Sequence, residues 1–321
     1  MVRKRLYMAF CILSLLALSS CSQTAPPPSP PLPQDSVRDS SNGGESLSPE
    51  KLRDNTPHVL VPAADGDVVY GNDRVTLDAS HLAEGYIMVR YSGSVSRIKI
   101  RIAYPSGEVY TYDVPDGFLA YPLSGGNGSY TVTVYENIVD DTYATAFSQV
   151  LDVALADEFH PFLYANYYVW FTEDSAIVGQ AQSVADGSTS DLDVVSKVYH
   201  FVTDTVDYDR DKAASVQSGY IPDPDETLAT GKGICFDYAS LMCSMLRTQG
   251  IPTKLEVGYV GDVYHAWIST YVRDVGWIDS IIQFDGVSWR IMDPTFAANN
   301  DLDDIKEYIG DGSRYSIKYM Y

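Results

Sequence analysis

The hydrophobic periodicity of the chain changes near residue 156, and this change limits the folds that the chain can adopt. Before it, short segments alternate apolar and polar residues, as in RIKIRIAY, where Ile98, Ile100 and Ile102 share one face of a strand. After it, LDVVSKVYHFVTDTV (192–206) repeats apolar residues every three or four positions, which predicts a helix. Strand-like segments then return. Helices followed by strands, without alternating βαβ units, predict an α+β fold.

The first of these two parts, residues 65–155, predicts an all-β domain. About seven short alternating segments are separated by turn-forming runs such as YPSGE, VPDG and GGNG. This number and spacing of strands is typical of a β-sandwich of the immunoglobulin-like kind. The segment contains no group of residues with an evident chemistry, so we expect it to act as a spacer or a binding module.

The N-terminal 20 residues predict an export signal. Arg3, Lys4 and Arg5 precede an apolar run that is too short for a lasting membrane helix. The run ends in LSSC, which resembles the cleavage motif of bacterial lipoproteins, and this resemblance implies lipidation of Cys21. An ordinary secretory signal is the alternative. Both interpretations place the protein outside the cytoplasm, and the first anchors it to a membrane by its lipid.

Residues 21–64 are rich first in Pro and then in Gly and Ser, a composition that predicts a tether without a core of its own. The whole chain has a formal net charge of −21. Removal of residues 1–20 makes it more negative, because that segment carries basic residues and no acidic ones. Such a charge argues against nucleic acid as a partner and leaves the lipid as the predicted membrane contact.

Cys235 lies after a glycine-rich turn, where GKGICFDYASLM begins a predicted helix that runs to about Gln249. Cys243 is eight residues further along the same helix, about 12 Å away, which is too far for a disulfide. A helix N-terminus stabilises a thiolate, and its free N–H groups, that of Cys235 first, can bind an oxyanion. At this position alone, Cys235 is either a nucleophile or a buried core residue.

His265 and Asp293 are the residues that complete a nucleophilic site in the sequence. His265 begins HAWISTYV, where alternation places it on one strand face with Trp267 and Ser269. A histidine held on a strand is suited to act as a base, although a surface histidine shows the same pattern. Asp293, in WRIMDPTF, follows the last strong strand; it either orients the histidine or starts an Asp-Pro turn.

Taken in order, GICFDYASLMCSMLRTQGIP, HAW and DPT resemble the transglutaminase-like superfamily, in its bacterial and often secreted branch. The resemblance covers about residues 190–300 and is extended upstream by VDYDRD (206–211). It implies a papain-like catalytic domain over 156–321, with Cys235 as nucleophile, His265 as base and Asp293 as orienting residue. One departure is the stretch of about 25 residues between Trp267 and Asp293, which predicts an extra hairpin.

The resemblance implies a cysteine protease-like or transglutaminase-like enzyme that forms a thioester with a peptide or protein substrate. The thioester then reacts with water, in an amide hydrolase, or with an amine, in a crosslinking transglutaminase. A non-catalytic surface protein with the same fold is the remaining alternative. Tyr208 and Trp267 are weaker candidates for substrate contact. No cofactor is expected, and NNDLDD lacks the spacing of a calcium loop, so no metal site is predicted.

Overall fold

The computed structural model describes residues 53–260, 263–273, 275–284, 289–291 and 315–321. The predicted signal (1–20), Cys21, most of the predicted tether and Asp293 lie outside these residues. The described part consists of two four-stranded sheets, followed by a group of helices with a two-stranded and a five-stranded sheet. None of the described helices is long and apolar enough to span a membrane.

Residues 65–155 form two four-stranded sheets, whose strands pair antiparallel throughout. One has the order β1-β2-β3-β6 and the other β5-β4-β7-β8. The strands are β1 (Val69–Gly71), β2 (Val75–Asp78), β3 (Tyr86–Tyr91), β4 (Ile98–Ala103), β5 (Val109–Asp113), β6 (Leu119–Pro122), β7 (Gly128–Val139) and β8 (Thr142–Val153). Ile98, Ile100 and Ile102 of β4 are buried, as their alternation predicts. An immunoglobulin-like classification of this region stays a prediction.

The remainder is mixed helix and strand. Its helices are α1 (Ala176–Ala185), α2 (Asp191–Thr205), α3 (Arg210–Ser215), α4 (Pro224–Thr230) and α5 (Cys235–Arg247). Its strands are β9 (Asp207–Tyr208), β10 (Lys232–Gly233), β11 (Thr253–Val260), β12 (Val263–Val272), β13 (Gly276–Phe284), β14 (Trp289–Ile291) and β15 (Tyr315–Met320). β9 and β10 pair in parallel, and the other five form an antiparallel sheet of order β14-β13-β12-β11-β15.

Helix α5 is the central element of this second region. Every side chain from Asp237 to Arg247 is buried, between α1, α2 and α4 on one side and β11 and β12 on the other. At its C-terminal end the buried Arg247 guanidinium donates hydrogen bonds to the main-chain oxygens of Tyr164, Thr253 and Tyr321. These bonds fix the helix relative to the sheet, and so fix where its N-terminus points.

The two regions share one hydrophobic core. The Tyr112 ring of β5 lies 5.1 Å from that of Tyr167 and 5.8 Å from that of Tyr321. The Met320 N–H also donates to Tyr110 Oη at 3.1 Å. Tyrosines supply large apolar rings together with hydroxyls that satisfy nearby polar groups, and so join the two regions.

Residues 53–64, assigned above to the flexible tether, are instead held against the second region. Arg53 Nε donates to Asp191 Oδ1 at 2.8 Å, and the His58 N–H donates to the Thr248 oxygen at 2.7 Å. Composition did not reveal this, because the anchoring groups belong to residues more than 130 positions away along the chain.

Candidate active site

The turn that leads into α5 is shaped by two glycines. Gly231 ends α4 with φ of 61°, a conformation that favours glycine. At Gly233 a Cβ would lie 2.7 Å from the Cβ of Asp237, so only glycine allows this approach. Asp237 Oδ2 accepts a hydrogen bond from the Ile234 N–H at 2.8 Å, which satisfies a free donor at the helix start. Cys235 therefore occupies the first residue of the helix.

Asp237 also anchors the segment that precedes α4. Its carboxylate is fully buried and accepts hydrogen bonds from Lys212 Nζ at 2.8 Å and from Tyr220 Oη at 2.5 Å. Lys212 Nζ in turn donates to Tyr220 Oη at 2.6 Å. This Asp237–Lys212–Tyr220 clamp ties α3 and the loop after it to the first turn of α5, beside Cys235.

The Cys235 thiol is partly exposed and faces strand β12. Burial raises its pKa, and the Asp237 carboxylate adds to that increase. The backbone N–H groups of Ala266 and Phe236 oppose it by hydrogen bonding to the sulfur. Since Ala266 follows His265 directly, this contact places the thiol beside the strand position that carries the predicted base.

His265 lies on β12, opposite Gly258 of β11, and is half-buried. Burial lowers the pKa of its imidazole. A Cβ at Gly258 would lie 2.0 Å from the main-chain oxygen of Ser316, so β15 packs closely against β11 at the position opposite His265. His265 and Cys235 both line one cavity of about 660 Å³. The structure thus brings together the two predicted catalytic residues that it describes, while Asp293 lies outside the described part.

Tyr208 belongs to this site. The pairing of β9 with β10 places it opposite Gly233, two residues before Cys235. Burial raises the pKa of its phenol, the nearby Cys235 sulfur raises it further, and the Cys235 backbone N–H lowers it by hydrogen bonding. Tyr208 therefore lies beside the start of α5 and lines the same cavity as Cys235.

Trp267 has a different position from the one predicted for it. It is 1% exposed, and its Nε1 donates to Glu256 Oε2 at 2.7 Å. Ser269 Oγ donates to the same oxygen at 2.6 Å. Trp267 is absent from the cavity wall. The prediction that Trp267 contacts substrate is therefore wrong. Its ring is buried and hydrogen-bonded to Glu256 of β11, and so it supports β12, the strand that carries His265.

The cavity is lined by both regions of the chain. The second region contributes Tyr168, Tyr208, Val216, Gly219, Tyr220, Phe236, Tyr264, Tyr319 and Tyr321 among others. The first region contributes Lys99, Thr111, Tyr112 and Asp113. In the part of the chain that the structure describes, no group of three or more His, Cys, Asp or Glu side chains is arranged to hold a metal ion.

Comparison with known proteins relates part of this region to a protein family. Residues 179–280, which include Cys235 and His265, match the family model of the Transglutaminase-like superfamily. This region is a transglutaminase-like domain. The match covers neither the first β region nor Asp293. No curated protein matches the chain.

Solved structures similar to the chain include cysteine protease and transglutaminase folds. A candidate cysteine protease of Cytophaga hutchinsonii is 16% identical, with 71% of this chain and 68% of that chain covered and a TM-score of 0.33. Red sea bream transglutaminase is 13% identical, with 67% and 48% covered and a TM-score of 0.28. A candidate protease of Parabacteroides distasonis is 12% identical, with 64% and 57% covered and a TM-score of 0.27.

Several residues of the site were not predicted from the sequence. Asp237 had a local signal, because an acidic residue three positions after a helix N-cap is typical of a capping interaction. Lys99, Thr111 and Asp113 had none, since they reach the cavity only through the packing of one region on the other.

Proposed function

We propose that this protein is a cysteine-dependent amide hydrolase or acyltransferase that acts on peptide or protein substrates. One observation carries the proposal. Cys235, at the N-terminus of α5, and His265, on β12, lie in the wall of the same cavity, which is large enough for a peptide segment. Thiol, imidazole and oxyanion donors are the parts that acyl transfer requires.

In the proposed reaction, His265 accepts the proton of Cys235 while the sulfur attacks an amide carbonyl. The tetrahedral oxyanion is held by N–H groups at the start of α5. The C–N bond then breaks, the imidazolium returns its proton to the leaving amine, and a thioester remains. We assign Asp293 the role of orienting the imidazole, on the resemblance described above.

We take water as the acceptor that completes the reaction. Water needs no second binding site and reaches the partly exposed Cys235 directly. Attack on the thioester, with His265 accepting a proton from water, releases the carboxylic acid and restores the thiol. A primary amine in place of water would yield a crosslinked amide, and the same experiment distinguishes the two products.

The test starts with the reactivity of Cys235. Iodoacetamide should modify Cys235 in the intact chain, and His265→Ala should lower the rate of peptide hydrolysis at neutral pH by at least about tenfold. Cys243→Ser is the matched control, because Cys243 is a buried thiol on the same helix. A Cys235 that reacts no faster than Cys243, or a hydrolysis rate that does not depend on His265, would contradict the proposal.

The second step identifies the products. Glutamine-containing peptides are incubated with the protein, with and without a primary amine, and the masses of the products are measured by mass spectrometry. A gain of one mass unit at glutamine or cleavage of the chain indicates hydrolysis, and an added amine indicates transfer. Cys235→Ala should abolish either product.

We also propose that the protein is exported and anchored by a lipid on Cys21, on the basis of the LSSC motif after the apolar N-terminal run. Cells grown with labelled palmitate should incorporate label into the protein, and Cys21→Ala should prevent it. A labelled Cys21→Ala protein, or an unlabelled wild type, would rule out lipidation at this residue.

A further inference from the structure

Strand β5 of the first region lies in the wall of the candidate active site. Thr111, Tyr112 and Asp113 of this strand line the cavity that contains Cys235 and His265. β5 pairs with β4 and stands at the edge of its sheet among the described strands. An edge strand carries main-chain groups that a second strand can bind.

The pairing with β4 determines which of these groups point outward. The Val114 N–H donates to the Ile98 oxygen, and Tyr112 lies opposite Ile100. In an antiparallel pair the residues that exchange hydrogen bonds alternate with those that do not. The N–H and C=O groups of Thr111 therefore point away from β4, toward the open edge.

The neighbouring outward group is already occupied. The Asp113 oxygen accepts a hydrogen bond from Tyr121 Oη at 3.0 Å. No described residue hydrogen-bonds to the main-chain N–H or C=O of Thr111, although Thr111 is exposed and lines the cavity. One donor and one acceptor are thus offered to a ligand at this point of the edge.

The charged side chains beside Thr111 neutralise each other. Lys99 Nζ lies 2.6 Å from Asp113 Oδ1, and the two residues face each other across β4 and β5. A paired lysine and aspartate do not favour a ligand of either charge. Recognition at this wall therefore rests on main-chain hydrogen bonds, which an extended peptide of almost any sequence can form.

We propose that a peptide substrate binds as an extended strand along the edge of β5, with one of its residues hydrogen-bonded to the main chain of Thr111. The proposal rests on the function proposed above, because the scissile amide must reach Cys235. A cavity of 660 Å³ is about 11 Å across if spherical, which about three extended residues span. The first region would then select extended peptides for the chemistry of the second.

The test uses reagents that alkylate Cys235 and differ only in peptide length. Iodoacetamide is compared with chloroacetyl-alanine peptides of one, three and five residues, and with the corresponding peptide chloromethyl ketones, so that both chain directions are sampled. The second-order rate constant of inactivation, divided by that of iodoacetamide, should rise with length in the wild type. Thr111→Pro, which removes the outward N–H, should lower this ratio about threefold to tenfold for the longer reagents only.

Val109→Pro is the matched control, because Val109 has the same outward orientation on β5 but does not line the cavity. It should leave the length dependence as in the wild type. If Thr111→Pro does not fold, wild-type protein and reagents with a single N-methylated amide answer the same question. Rates should then fall at one peptide position, two or three residues from the electrophile.

The outcomes separate the two proposals. A reactive Cys235 without length dependence, or with no sensitive N-methyl position, overturns strand addition and leaves the proposed function standing. A Cys235 that iodoacetamide does not modify overturns both.

Discussion

At the residue scale, burial acts on the two candidate catalytic side chains in opposite directions. It raises the pKa of Cys235 and lowers that of His265. Both shifts favour a neutral thiol beside a neutral imidazole over a thiolate–imidazolium pair. In the proposed reaction, His265 therefore accepts the thiol proton only as the substrate is attacked.

This electrostatic balance predicts the pH dependence of alkylation. Because the thiolate is the reactive form, a raised pKa moves the midpoint of the rate with iodoacetamide above the value of about 8.5 for a free thiol. The measurement is the rate of Cys235 modification between pH 6 and 10, in a Cys243→Ser background. A midpoint below neutral pH would show that a thiolate–imidazolium pair already exists in the resting site.

Glu256 gives a second prediction at this scale, on stability. Burial raises its pKa, and hydrogen bonds from Ser269 and Trp267 only partly oppose this. A carboxyl group with a raised folded pKa stabilises the fold below its unfolded pKa and loses that contribution as pH rises through the folded pKa. Glu256→Gln keeps both hydrogen bonds without the charge. Its free energy of unfolding relative to wild type should therefore increase from pH 5 to pH 8, measured by urea denaturation.

A variant of constant or falling relative stability over that range would contradict this account of Glu256. Glu256→Ala serves as the comparison. It leaves the Trp267 and Ser269 donors without their acceptor, and should be about 1–3 kcal/mol less stable than Glu256→Gln at each pH.

At the element scale, the first turn of α5 is held by the Asp237–Lys212–Tyr220 clamp. The same clamp fixes the loop after α3, whose residues Val216 to Tyr220 line the cavity. A single buried carboxylate thus holds both the first turn of α5, which carries Cys235, and the loop that forms one wall of the cavity. The end of α5 is held equally by Arg247, so the helix is fixed at both ends.

Replacement of the buried carboxylate tests this role. Asp237→Asn should lower the free energy of unfolding by about 1–3 kcal/mol, because an amide cannot compensate the Lys212 charge. It should also slow the modification of Cys235 by the longer peptide reagents more than by iodoacetamide, since the wall loop loses its anchor. Calorimetry and inactivation kinetics measure the two effects.

Asp193→Asn is the control for loss of a carboxylate from a lysine ion pair away from the site. Its Oδ2 lies 3.3 Å from Lys197 Nζ in a partly exposed i,i+4 pair, which is expected to contribute no more than about 0.5 kcal/mol. An Asp237→Asn protein as stable and as reactive as this control would show that the clamp does not position the site.

At the scale of the whole molecule, the shared core makes the two regions one unit. Rings from β5, from residues 167 and 168 and from the end of the chain pack together, and Ser124 Oγ donates to the Met320 oxygen at 2.6 Å. Separation of the regions would expose these tyrosines and leave their hydrogen-bonding partners unsatisfied.

Unfolding should therefore be cooperative across both regions. Differential scanning calorimetry of residues 53–321 should show a single transition, with equal calorimetric and van't Hoff enthalpies. A fragment of residues 156–321 should lack the near-ultraviolet circular dichroism of packed aromatic rings. Two separated transitions, or a folded and alkylation-competent fragment, would show instead that the regions are independent.

The sequence by itself determined the elements whose signals are local. The predicted helix 192–206 is α2 (Asp191–Thr205), and the helix predicted from Cys235 is α5 (Cys235–Arg247). Periodicity, caps and turn residues act within a few positions, so the sequence also determined that Cys235 starts a helix and that His265 lies on a strand. The exclusion of a disulfide followed from the same helix, and both thiols are free.

Only the tertiary structure decided which distant groups meet. Trp267 was a candidate for substrate contact until the β11–β12 register placed Glu256 opposite it and buried its ring. The first β region was predicted as a separate module, yet β5 forms a wall of the cavity. These contacts depend on register and on the packing of residues more than 100 positions apart, about which local periodicity carries no information.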